Sequence, residues 1–114
     1  MQTAHTVIVL LLSLIFLVSG LSKASGSPAG LSGTRDVNVS DGIARLVGIF
    51  ETLSAMSLVI GFAMGNADLK RFGLVAIWFT MAGALYFHFR ANKVRTAFPA
   101  MLFLVLSTIA LATL

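Results

Sequence analysis

The chain has 114 residues, 58% of them hydrophobic and 11% charged, with no cysteine and a formal net charge of +4. A soluble domain is about one quarter charged, so a mean hydropathy of +0.98 leaves too little polar surface for a water-facing globule and marks an integral membrane protein solvated by the lipid bilayer. The missing cysteines exclude disulfides, thiolate metal sites and thiol exchange by this chain, and basic residues scattered in ones and twos at the ends of apolar runs argue against nucleic acid as a partner.

Four apolar segments follow in chain order. The first, "TVIVLLLSLIFLVSGL", predicts a helix over about 6–22. Small residues follow it at Ala24, Ser25 and Gly26, as they do at a signal-peptide cleavage site, but "MQTAHT" carries no basic side chain. The segment therefore reads as a retained transmembrane helix. His5, just before it, is expected to be a solvated terminal residue.

Residues 24–41, "ASGSPAGLSGTRDVNVSD", read as a loop rich in Gly, Ser and Pro. Within it Asn38-Val39-Ser40 matches a glycosylation acceptor, a short and common pattern that carries little weight. Ser40 or Asp41 is placed to cap a second helix over about 42–64. Gly61 and Gly65, extended by Ser57, form a stripe of small residues, which predicts close packing within the bundle ahead of a dimer seam.

The third helix is predicted over about 71–89, with Lys70 and Arg71 at one end and Tyr86, His88 and Arg90 at the other. Its Trp78 lies mid-helix as a packing residue. The fourth spans about 97–114, with Pro99 tolerated in the first turn. Short connections predict one domain over residues 1–114, an all-α antiparallel bundle of four transmembrane helices. Both termini then share one membrane side. The other side carries the basic residues Lys23, Arg35, Arg45, Arg90, Lys93 and Arg95 against Lys70 and Arg71, and even without Lys23 and Arg45 the excess places the termini outside.

Lys23 closes the first helix, Arg45 opens the second and His88 lies near the end of the third, so an antiparallel bundle brings all three to one face. Glu51 follows Arg45 by six residues, which places it about 9 Å deeper and about 120° around the helix. The two therefore face different directions, and Lys23 or His88 is the more natural partner for the acid. Gly48, one turn before Glu51, removes bulk where a neighbouring chain or a ligand can sit. A charged side chain near the bilayer centre costs about 2.5–3.5 kcal/mol on insertion scales, so Glu51 is either protonated or paired. Three readings fit: an ion-pair network that only fixes helix register, a polar pocket for a small ligand such as a quinone headgroup or an anion, and transport through Glu51. No second histidine or carboxylate stands at ligand spacing from His88, which argues against a metal site, and no phosphate loop or nucleophile elbow is present.

At "FLVSGLSK" (16–23), "RLVGIFE" (45–51) and "GALYFH" (83–88), the sequence resembles the DoxX-like family of small four-helix membrane proteins, with Arg-x-x-Gly-x-x-Glu the most specific element. The resemblance implies that Lys23, Arg45, Glu51 and His88 occupy the family's recurring polar positions, in a bacterial cytoplasmic membrane. Some relatives are linked to quinone-dependent oxidation of sulfur compounds, some to thiol stress systems and others to assembly of membrane partners. The expectation that follows is an accessory or scaffold subunit of a respiratory or redox-linked membrane complex, without catalytic activity of its own. A quinone-binding oxidoreductase component is the alternative. A small proton-coupled exporter ranks behind both, because the small multidrug transporters carry their glutamate in the first helix and this first helix has no acid.

Overall fold

The computed structural model describes residues 2–114, and every regular element in it is helical. Four long helices form the bundle: α1 (Gln2–Ala24), α3 (Asp41–Met64), α4 (Ala67–Arg90) and α5 (Phe98–Ala112). A short helix, α2 (Pro28–Asp36), sits between α1 and α3, and a 3₁₀ turn (Arg95–Ala97) leads into α5. With that turn counted, all four long helices are long and apolar enough to cross a membrane. α3 and α4, 24 residues each, reach about 36 Å at 1.5 Å per residue, against about 30 Å of hydrocarbon.

α1 packs on α3, α3 on α4 and α4 on α5, while α1 and α5 meet only lightly. The inner face of α1 shows why these residues form this element: His5, Val9, Leu12, Ser13, Phe16 and Gly20 are buried at helical spacing along one stripe. Val9, Leu12, Leu58, Leu74 and Ile77 make the fully buried centre. Leu14, Leu46, Leu53 and Phe79 point outward, an apolar exterior that suits lipid and not water. Buried hydroxyls are satisfied locally: Ser13 Oγ donates to Val9 O at 2.7 Å and Ser54 Oγ to Phe50 O at 2.7 Å.

The fold departs from the sequence expectations in several places. The stretch 24–41 is not wholly loop, since Pro28–Asp36 is helical. Ser27 caps that helix by accepting from Gly30 N, Pro28 fills the first turn, and Leu31, Val37 and Val39 bury themselves against Ala44. α4 starts at Ala67 and not near Arg71, because Asn66 caps it by accepting from the backbone of Asp68 and Leu69. α1 starts at Gln2, which draws His5 into the bundle.

His5 is not solvated. It is 7% exposed; its Nδ1 lies 2.9 Å from Thr113 Oγ1 and its Nε2 lies 3.2 Å from Lys70 Nζ. The contact with Thr113 also sets the start of α1 and the end of α5 at the same end of the bundle. The Ser57–Gly61–Gly65 stripe divides by position. Ser57 Oγ donates to Leu69 O at 2.9 Å, and a Cβ at Gly61 would come within 2.6 Å of Lys70 N, so both positions hold α4 close. Gly65 packs against nothing; with φ 65° it ends α3 in the left-handed conformation that favours glycine.

Candidate functional site

The site grows from the crossing of α1 and α3. A Cβ at Gly48 would lie 2.5 Å from Ala24 N and one at Gly20 would lie 2.6 Å from Thr52 N, so the two glycines let the helix backbones touch. The room expected at Gly48 is thus filled by α1 itself. This contact sets the end of α1 against the third turn of α3, and from there the long side chain of Lys23 reaches Glu51.

Lys23 Nζ lies 2.7 Å from Glu51 Oε1, and the carboxylate is 1% exposed. Ser19, one turn before Lys23, completes the arrangement. It accepts from Lys23 Nζ at 2.9 Å and donates to Glu51 Oε2 at 3.5 Å. Glu51 therefore has a partner on each oxygen, as a buried charge requires. Ser19 was missed in the sequence, although its i−4 spacing from Lys23 is a usable signal once the lysine is known to turn inward.

The two other residues expected in this cluster have different partners. Arg45 turns to the end of α1, where its Nε donates to Ala24 O at 3.2 Å, and so satisfies a carbonyl left free by the helix terminus. His88 pairs with the turn after α4: its Nδ1 lies 2.7 Å from Thr96 Oγ1. The Thr96 hydroxyl donates its single proton to Lys93 O at 2.9 Å, so His88 Nδ1 is the donor and Nε2 is left as an acceptor. His88 does not bond Glu51, yet both line the same two cavities.

The larger cavity holds about 550 Å³ between α3 and α4, within the range of small-molecule sites. Lys23, Glu51 and His88 provide its charged and basic groups, while Phe50, Phe79 and Phe87 supply aromatic walls. Its outer rim includes Leu46, 66% exposed, and Phe79, 65% exposed, so the cavity opens sideways through lipid-facing positions. Thr34 at the end of α2 and Val37 and Val39 beyond it close the end nearest the loops. That closure is latched by Arg35, whose Nε and Nη2 donate to the two Asp41 oxygens at 2.9 and 2.8 Å. Those hydrogen bonds hold the Arg35 guanidinium above the ordinary arginine pKa. A smaller cavity of about 180 Å³ lies on the other side of the ion pair, between α1, α4 and α5.

A membrane-embedded four-helix bundle with one buried lysine–glutamate pair between two cavities is the class these observations define. The chain belongs to the DoxX-like family, whose profile matches residues 7–110. No match to the chain was found among curated proteins or among solved structures.

Proposed function

We propose that this DoxX-like protein binds a lipid-soluble ligand with a hydrogen-bonding ring headgroup, of the quinone class, as an accessory subunit of a redox-linked membrane complex. The observation that carries this reading is the position of the Lys23–Glu51 pair in the wall of a laterally open, aromatic-lined cavity. An ion pair serving helix register alone needs no space beside it, and here a cavity of about 550 Å³ adjoins it. The residues fit the group. Lys23 offers a donor to a ring carbonyl, Glu51 and His88 Nε2 offer acceptors to a ring hydroxyl, and Phe50, Phe79 and Phe87 suit the ring and the start of a tail. A bound quinone supplies two-electron, two-proton redox chemistry; the part of this chain is to hold and orient the headgroup. The excess of basic residues at the loop end supports a cytoplasmic location for that end, with both termini outside.

The test uses the protein in nanodiscs with a tritiated short-tailed benzoquinone. Saturable binding, weakened about tenfold or more by Glu51→Gln, is expected for a lost charge-assisted contact of about 1.5–3 kcal/mol. If wild type and Glu51→Gln bind alike, or neither saturates, the reading is wrong. Purification of a tagged copy in mild detergent tests the accessory role, which requires a stoichiometric companion chain.

A further inference from the structure

The Lys23–Glu51 pair is approached from two sides that differ in chemistry. The larger cavity opens between lipid-facing side chains. The smaller one runs along α1, α4 and α5 and ends among the polar residues of the turn that follows α4. Ser19, Lys23, Glu51, His88 and Thr96 all line it, an unusual density of polar groups for a chain with this composition. At its outer end Thr96 and Pro99 are exposed, beside Asn92, Lys93 and Arg95, which are exposed as well. At its inner end Phe16 and Phe103 meet edge to face, with ring centroids 5.6 Å apart, and form an apolar floor. The seam between α1 and α5 beside it is the lightest helix contact in the bundle.

We infer that the smaller cavity is a water-filled vestibule that joins Glu51 to the aqueous phase at the loop end, separate from the lipid-facing cavity. Its volume of about 180 Å³ admits several waters at about 30 Å³ each. The serine, threonine and histidine in its walls give such waters the two to four polar partners that make a cavity wet and not empty. The Phe16–Phe103 contact stops the water at the depth of the pair, so the bundle is not a channel. The ligand class of this site is therefore water and small protic solutes. Protons that leave or reach the Glu51 carboxylate are exchanged with this water. The vestibule extends the proposed function only in what it implies for a ligand in the larger cavity; its existence stands on the geometry of the smaller one.

Because the chain has no cysteine, each introduced cysteine is a unique probe. The experiment measures labelling by a charged methanethiosulfonate in nanodiscs, where both membrane faces are accessible. Ala100→Cys and Ser19→Cys report the vestibule, Gly83→Cys the lipid-facing cavity, Leu14→Cys the lipid surface and Lys93→Cys bulk water. A thiol in apolar surroundings is held protonated, so Gly83→Cys and Leu14→Cys should react about 100-fold more slowly than Lys93→Cys. Ala100→Cys and Ser19→Cys should react within about tenfold of Lys93→Cys. If both vestibule cysteines are as slow as Leu14→Cys in well-folded samples, the vestibule is dry and the inference fails. Two variants on opposite walls guard against one of them misfolding. The labelling involves no quinone, so failure of quinone binding and failure of this inference are read separately.

Discussion

Gly48 of α3 lies against the backbone of Ala24 at the end of α1, and that contact brings Lys23 Nζ to within 2.7 Å of Glu51 Oε1. Packing and charge are thus coupled at one crossing. A Gly48→Ala Cβ would come within 2.5 Å of Ala24 N, so the helices must part. A loss of about 1–3 kcal/mol is expected from this overpacking, read as a lower unfolding midpoint in detergent. Gly83→Ala is the control. Its Cβ meets nothing within 4 Å, and a change within about 0.5 kcal/mol is expected.

The ion pair itself separates structural from functional cost. Lys23→Ala leaves a buried carboxylate without its cation, and Glu51→Ala leaves the lysine without its anion. Each is expected to lose about 3–5 kcal/mol. Lys23→Met together with Glu51→Leu removes both charges while keeping volume, and should recover most of that loss. The same double variant should bind no short-tailed quinone. Recovered stability with unchanged quinone binding would separate the ligand from the pair.

At the opposite end, His5 joins three helices through Thr113 and Lys70. Thr113 Oγ1 donates to Ile109 O at 2.8 Å, so His5 Nδ1 donates to Thr113 and Nε2 accepts from Lys70. His5→Phe fills similar space but leaves the Lys70 ammonium without this acceptor. A loss of about 1–3 kcal/mol is expected for the orphaned group. Faster amide exchange should be confined to the first turn of α1 and to residues 109–113. Uniform exchange across the bundle would show that His5 is not a local clasp.

Arg35 and Asp41 are both exposed, so their pairing contributes little to global stability. Its effect should be local. Arg35→Ala is expected to speed amide exchange in α2 and to raise the dissociation rate of a ligand in the larger cavity, with the unfolding midpoint nearly unchanged. An unaltered exchange rate in residues 28–36 would mean that α2 is held by Leu31, Val37 and Val39 alone.

Hydropathy and helix caps made the four spans legible, because lipid leaves the backbone no choice but to bond within each helix. Glu51 was legible for a similar reason: a buried acid must find a base, and Lys23 stands at the matching helix end. Arg45 and His88 share that end, but geometry alone decides between an inward and an outward turn, and the free carbonyl of Ala24 and the hydroxyl of Thr96 took them. α2 was illegible because nine residues rich in small side chains have weak helical preference, and their order comes from contacts with distant apolar groups. His5 was missed because its partners lie 65 and 108 residues away. The spacing of Gly65 predicts a packing residue because small-residue spacing does not reveal where a helix stops.

The order of helices in the chain bears on how the bundle is made. α1 is synthesised before α3, so Lys23 is already at its helix end when the segment carrying Glu51 leaves the ribosome and enters the bilayer. A charge entering alone costs about 2.5–3.5 kcal/mol on insertion scales. The glycine crossing lets α3 lie directly against α1, so the charge of Glu51 is matched within the first two spans of the chain and needs nothing from α4 or α5. The first two spans are thus self-contained in charge as well as in packing.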